Sequence, residues 1–329
     1  MNPFRRLREL GLVGMNRRNA AYILEHNPRR RYPLVDDKLL TKRLAEAAGI
    51  AVPKLLGVIT SIRQLDALET MLDGREDFVI KPTKGSGGNG IVVVTSRLGE
   101  HWRRASGLPF SRDELSYHVA NILSGMHSLG GLPDRVMVEQ RVRFDARFDA
   151  VSYRGVPDIR TVVYRGVPVM AMMRLPTHAS DGKANLHLGG VGVGIDIADG
   201  HTTTAIWRDR PIRLHPDTLS SVVDLQVPDW DRLLELAAHC QTLCGLGYLG
   251  VDLVLDQDHG PLVLELNARP GLSVQLANRS GLGPRLDAVD ALPKIPHEAC
   301  ARAAIGREIA SACVIEGRRA ELPASISSG

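Results

Sequence analysis

Cysteine is scarce: four residues in 329, too few for a disulfide framework. Cys240 and Cys244 stand one helical turn apart, but no second Cys or His pair sits at zinc spacing. They read as reduced core thiols. No run of about 18 apolar residues occurs, which excludes a membrane-spanning helix. The basic start of the chain has no apolar stretch behind it, so no secretory signal is expected and a cytoplasmic location is. No period of 20–50 residues recurs, which excludes a repeat architecture. Hydrophobic residues make up 44% and charged residues 24%, a balance that argues against wholesale disorder. The length suits about two domains of ~150 residues. Lysine is also rare, seven of 41 basic residues. Where arginine is so preferred, Lys38, Lys81, Lys84 and Lys183 hint at sites that need a compact ammonium.

The net charge of +4 is uneven. Residues 1–31 carry eight arginines against Glu9 and Glu25, or +6, which leaves −2 for the remainder. A basic arm of this kind suits an anionic partner, such as nucleic acid, a membrane surface or an acidic peptide; it equally suits a solvated edge packed on the body.

Periodicity predicts a helix over 37–49, with acidic residues at its start and Gly49 as a stop, then a strand before Thr60 and a second helix over 61–73. Short strands are expected at 77–81 and 91–95, a helix over 111–129 and a strand over 135–142. Residues 160–164 and 167–173 form a hairpin around Arg165-Gly166. A Gly-rich stretch covers 189–194. A helix over 229–245 is followed by strands at 248–256 and 261–267, with a further helix near 297–311. Strands and helices mix without βαβ regularity, so the fold class expected is α+β with antiparallel sheets.

Two segments carry chemistry. The first is Lys81-Pro-Thr-Lys-Gly-Ser-Gly-Gly-Asn-Gly90. Its glycine spacing matches neither a Rossmann turn, because a strand follows rather than a helix, nor a Walker A loop, because Ile-Val follows Gly90. What is left is a glycine hairpin whose backbone N–H groups (Gly85, Ser86, Gly87, Gly88 and Gly90) can approach phosphate oxygens, with Lys81 as a point charge. The second segment is residues 248–267. A hairpin symmetric about Asp258-His259 sets Asp252 opposite Glu265, about 5 Å apart at Cβ, with Asn267 on the same face. Two carboxylates and an amide oxygen between apolar neighbours suit Mg²⁺. Phosphate grip and metal cradle together imply a nucleoside triphosphate. Glu139 and Gln140, ending an apolar strand, can read adenine; Arg160 and Arg174 can neutralise a phosphoryl group or a substrate carboxylate.

With these motifs in order, the chain resembles the ATP-grasp superfamily from about residue 36 to 283, and in particular the alpha-L-glutamate ligase-like proteins related to the RimK-type ligases that add glutamate to a ribosomal protein. The motifs are Asp37-Lys38, FVIKP with the glycine loop, VEQ, DIR, KANLHLGG, GVD and LVLELNARPGLS. The resemblance implies two α+β lobes clasping MgATP, with 37–134 as the first, 135–283 as the second, 1–36 as a basic arm and 284–329 as an extension. It implies ligation of a carboxylate to an amine through an acylphosphate, with an amino acid such as glutamate and a carboxylate-bearing peptide, protein or small acceptor as partners. Lys38, Lys81 and Lys183 would hold phosphates, Asn185 would be among the nucleotide-binding residues, Gly85–Gly90 would form the lid, and Glu139 and Gln140 would face adenine. Asp158, or alternatively Asp145 or Asp149, would reach the ribose. Asp252, Glu265 and Asn267 would bind Mg²⁺, commonly two ions, with Mn²⁺ as a substitute, and Arg160 and Arg174 would serve catalysis. Family members carry roughly a hundred residues before the Asp-Lys motif, against 36 here, and the stretch from Gln140 to Pro157 is longer than usual. A regulatory module docked through the basic arm, and a phosphotransferase of the same fold, are the other readings.

Overall fold

The computed structural model describes residues 7, 9–72, 74–85, 87–128 and 130–317. Two antiparallel sheets organise them. The first contains β1 (Leu55–Ile59), β2 (Phe78–Pro82), β3 (Val92–Leu98), β4 (His101–Arg104), β5 (Pro109–Phe110) and β6 (Val136–Glu139), in the order β1-β6-β2-β3-β4-β5. The second contains β7 (Asp158–Tyr164), β8 (Val167–Leu175), β9 (Val191–Ile195), β10 (Thr202–Trp207), β11 (Arg210–Ile212), β12 (Tyr248–Asp256) and β13 (Gly260–Asn267), in the order β11-β10-β9-β8-β7-β12-β13. Helices segregate from strands in each half, as expected of an α+β fold.

The first sheet packs Phe78, Ile80, Val94 and Trp102 against Leu115, Val119 and Ile122 of the helix Arg112–Leu123. Each such side chain contributes about 1.5–3 kcal/mol by leaving water. The helix starts where a capping box dictates: Ser111 accepts from the Glu114 amide and Glu114 accepts from the Ser111 amide. It stops at Leu123 rather than 129, and Gly125 follows with φ +90°.

The second sheet is covered on both faces, so every residue of β7 and β12 is buried. One face meets the helix Trp230–Cys244. Cys240 and Cys244 lie in that core as free thiols, and burial pushes both up, Cys244 to about 11. The other face carries Val162, Tyr164, Met170, Met172 and Tyr248, covered by helices Ser273–Asn278 and Gly283–Asp290 and by Val13, Tyr22 and Ile23. Strand β9 hides behind its glycines because helix Ser273–Asn278 lies directly on it: a Cβ on Gly194 would meet the Ala277 carbonyl at 2.7 Å.

Residues 9–36 therefore lie against the second sheet. Their basic charge is partly spent there: Arg17 pairs with Asp287 at 2.9 Å, and Arg18 and Arg31 donate to the carbonyls of Pro270 and Cys244. Asn27 is the main tie. It donates to the carbonyls of Tyr248 and Ala268 and accepts from the Tyr248 amide, all within 2.9 Å and buried. Asn27→Ala strands those three backbone groups, so we expect a loss of about 2–4 kcal/mol, read as a lower urea midpoint with an unchanged m-value. Among the described residues, no helix is long and apolar enough to cross a membrane.

Candidate active site

Strand register assembles the site. On one face of four adjacent strands, Asp158 of β7 sits opposite Arg174 of β8. Arg160 of β7 sits opposite Asp252 of β12. Asp252 in turn sits opposite Glu265 of β13, with Asn267 opposite Gly250. The same face is apolar farther along, at Val162, Tyr164 and Met172, where the helices cover it. It turns polar where that cover ends. The hairpin turns about Asp258 alone, because Asp256 pairs with Gly260. That centre would put Asp252 opposite Leu264, but a bulge between Asp252 and Leu253 shifts the register by one and restores Glu265.

The side chains form a dense charge network. Arg160 engages Asp252 through both Nε and Nη2. Arg174 reaches Asp158 through Nε and Nη2 at 2.5 and 2.6 Å, and Asp252 Oδ2 through Nη2 at 2.7 Å. Burial alone would raise Asp252, but Arg160 and Arg174 outweigh it and hold the carboxyl low. Burial pushes Asp158 up, opposed only in part by Arg174 and reinforced by Asp252. Glu265 is freer, with its side chain 31% exposed and Lys38 Nζ at 3.4 Å. Lys38 also donates to the Gly85 carbonyl at 2.6 Å, so it ties the root of the glycine loop to the carboxylate row.

A cleft of about 990 Å³ opens over this row. Its wall includes Gly87, Gly88, Arg160, Arg174, Lys183, Asn185, Asp252, Glu265 and Asn267, so nine of the residues singled out in the sequence converge here. The glycine loop spans the gap: Gly87, Gly88 and Gly90 all take positive φ, and at Gly88 a Cβ would touch the Lys183 side chain at 4.0 Å. Gly85 and Gly90 anchor the loop instead of lining the cleft, Gly85 by a bridge to Ser128 and Gly90 by its carbonyl on His118 Nε2 at 3.0 Å. Ser86 lies outside the described residues.

Other expected contributors sit off the cleft wall. Lys81 and Glu139 are buried beside the cleft, with Glu139 clamped by Lys81 at 2.6 Å and Lys42 at 2.8 Å. Burial opposes the Glu139 charge, but the two lysines win and hold its carboxyl below the ordinary range. Burial pushes the Lys42 ammonium down, with Glu139 opposing. Lys42 went unnoticed in the sequence, although it follows Lys38 by one turn of helix Lys38–Ala47 and so shares its face. A cavity of only about 10 Å³ is lined by Lys38, Lys42, Lys81 and Glu265. Gln140 donates its backbone N–H to the Lys54 carbonyl and is half-buried. Of the three ribose candidates, Asp145 caps Arg147, Asp149 is exposed, and Asp158 lies beneath Arg174; none is on the cleft wall.

The residues present fit a divalent ion with a polyphosphate. Asp252, Glu265 and Asn267 offer hard oxygen donors on one rigid sheet face, too few for a closed cage. Among the described residues no group of three or more His, Cys, Asp or Glu gathers that could hold a metal, so water and phosphate oxygens would complete the shell.

A family model described as sugar-transfer associated ATP-grasp matches residues 17–291. The chain belongs to this ATP-grasp family. The match takes in residues 17–36, within the basic segment that packs on the second sheet. Similar proteins include two described as "Probable alpha-L-glutamate ligase". The one from Maridesulfovibrio salexigens is 24% identical over 238 residues, 72% of this chain and 56% of the relative. The one from Pseudomonas entomophila is 26% identical over 237 residues, again 72% and 56%. The chain thus spans little more than half the length of these curated relatives. Among solved structures, the ATP-grasp ligase PsnB with its minimal precursor aligns over 81% of this chain and 63% of its own (TM-score 0.45, 18% identity). The ATP complex of D-alanine–D-alanine ligase from Bacillus anthracis aligns over 89% and 69% (TM-score 0.42, 16% identity).

Proposed function

We propose that this ATP-grasp chain is an ATP-dependent carboxylate–amine ligase, joining an amino acid such as glutamate to a carboxylate-bearing peptide, protein or small acceptor. One observation carries the reading: a single sheet face aligns two arginines, two carboxylates and an amide at the floor of a cleft whose roof is a glycine loop. In this reading a substrate carboxylate oxygen attacks the γ-phosphorus and ADP leaves. The amine then attacks the acyl carbon, phosphate leaves and the amine gives up a proton.

The chain's contribution is positioning and charge. Asp252, Glu265 and Asn267 would hold Mg²⁺, which supplies neutralisation of phosphate oxygens. Lys183 and the N–H groups of Gly87 and Gly88, which adjoin on the cleft wall, would hold phosphate oxygens. Arg160 and Arg174 stand fixed by Asp252 and Asp158, so their guanidinium groups need no reorganisation as charge develops. Lys38 holds the lid root in place. No general base is required in such a scheme.

Incubation with MgATP and pooled amino acids, with and without Glu- or Asp-ended peptides, tests this. We expect phosphate release that depends on one amino acid and falls at least about 100-fold in Glu265→Ala, as loss of a principal charge-stabilising group does. Wild-type protein that shows no thermal shift with MgATP, or a Glu265→Ala variant as active as wild type, would sink the reading.

A further inference from the structure

The stretch before β7 ends in a feature the ligase reading does not use. Tyr153 and Arg154 stand on the cleft wall with His178. The Arg154 guanidinium lies over the Tyr153 ring at 5.3 Å, and Tyr153 meets the His178 ring edge-on at 5.5 Å. We propose that Arg154 is a specificity-determining residue that grips a remote oxyanion of the second substrate, a carboxylate or a phosphoryl group. The proposal rests on the ligase reading for the identity of the other substrate.

Position comes first. Residues 152–157 lead into β7 at Asp158, and residues 176–185 leave β8 after Leu175, next to Arg174, so both loops grow from the strand ends that carry the charge network. They are locked together. The Tyr153 amide donates to the Pro176 carbonyl, and a Cβ on Gly155 would run into the Gly182 carbonyl. Arg154 is thereby held at the rim, four residues from Asp158, and Lys183 follows Gly182 directly.

Charge comes second. Six cations line the cleft, and four already have carboxylate partners: Arg160 and Arg174 in the network, Arg104 with Glu114, and Arg141 with Asp77 at 3.6 Å. Lys183 and Arg154 pair with no carboxylate among the described residues, and neither does Asp181 on the same rim pair with a cation. Lys183 faces the glycine loop and so the nucleotide, which leaves Arg154 for the other substrate. Its planar fork suits a carboxylate or phosphoryl group bidentately, and the Tyr153 face fixes its plane.

Backbone strain comes third. Arg154 sits at φ +52°, a left-handed conformation that a non-glycine side chain adopts at a cost. Glycine would be easier there on backbone grounds, so the local backbone does not by itself call for arginine.

The test titrates four probes into MgADP-loaded protein by calorimetry: L-glutamate, glutarate, butyrate and glycerol 3-phosphate. Arg154→Gly removes the guanidinium and the strain together, so folding is protected; Arg154→Gln and Arg154→Lys run beside it. We expect at least one of L-glutamate, glutarate and glycerol 3-phosphate to bind wild type about 10-fold or more tightly than Arg154→Gly and Arg154→Gln, as for a lost charge-assisted fork. Arg154→Lys should fall between, and MgADP affinity should stay within about two-fold. Preference for glutarate or glutamate assigns a carboxylate; preference for glycerol 3-phosphate assigns a phosphoryl group. Probes that treat wild type and variants alike, including binding to neither, overturn the proposal. A ten-fold change in MgADP affinity also overturns it, by placing Arg154 on the nucleotide. If wild type fails to bind MgADP yet an anion still depends on Arg154, the ligase reading falls and the anion subsite stands.

Discussion

Asp252→Ala will melt roughly 10 °C below the wild-type protein, whereas Glu265→Ala will melt within about 3 °C of it. The two residues face each other across β12 and β13 and share one expected role, so the contrast comes from their neighbours. Asp252 is the common anchor of Arg160 and Arg174 in a buried setting. Its loss leaves Arg160 without a carboxylate and Arg174 with Asp158 alone. Breaking one partner of a buried pair typically costs about 3–5 kcal/mol, because the orphaned charge stays desolvated. Glu265 has one loose contact, Lys38 at 3.4 Å, and is 31% exposed; such a pair contributes about 0–1 kcal/mol. Both variants should lose the melting-temperature gain that wild type shows with MgATP. Differential scanning calorimetry with and without MgATP reads both effects. Equal melting of the two variants would mean that the arginines find other partners and that Asp252 does not organise the site.

Much of this site was legible in the sequence because strand register is arithmetic. Period-2 alternation put Asp252, Glu265 and Asn267 on one face, and the strongly apolar flanks signalled a buried strand pair. The pairing holds for a subtler reason than symmetry, since the three-residue turn and the bulge offset each other. A bulge leaves no mark in composition or in period-2 alternation. The α+β class and the hairpin at Arg165-Gly166 were equally readable, and β7 pairs with β8 there. Strands β10 and β11 were not, because their pattern (TTTAIW and RPI) carries little hydrophobic periodicity. The Arg160–Asp252–Arg174–Asp158 network was also out of reach. It depends on the lateral order of β8, β7 and β12, a non-local choice that no single segment encodes. Lys42 could have been found, since a lysine one turn after Lys38 on an otherwise apolar helix face needs a buried partner. Arg154 left no periodic trace at all; only its left-handed backbone and its unpaired charge mark it, and both are visible only in three dimensions.

Glu139→Leu will destabilise the protein by about 3–5 kcal/mol, and the triple variant Lys42→Met, Glu139→Leu, Lys81→Met will recover most of that loss. The single change leaves two ammonium groups almost fully buried, with side-chain exposures of 5% and 9%. Lys42 retains the Pro53 carbonyl, but Lys81 is left without a carboxylate. The triple change removes every charge at once and replaces the cluster with apolar bulk, which in buried networks is often neutral or better. The acid limb of stability should follow. The Glu139 carboxyl is held below its ordinary value of 4.5. Its stabilisation is therefore complete above that value and is lost as pH falls through the lower folded one. Wild type should lose stability on acidification below about pH 4.5 more steeply than the triple variant does, measured as urea midpoints across pH. The triple variant also separates structure from chemistry. Lys81 and Glu139 sit beside the cleft paired with each other and with Lys42, an arrangement that serves the core whether or not a nucleotide ever meets them. If they also contact the nucleotide, the triple variant will be folded and near wild-type stability yet bind MgATP at least about 10-fold more weakly, the equivalent of losing one charge-assisted contact. Unchanged MgATP affinity in a stable triple variant would confine both residues to the core beneath the first sheet and leave Lys183 and the glycine loop as the phosphate grip.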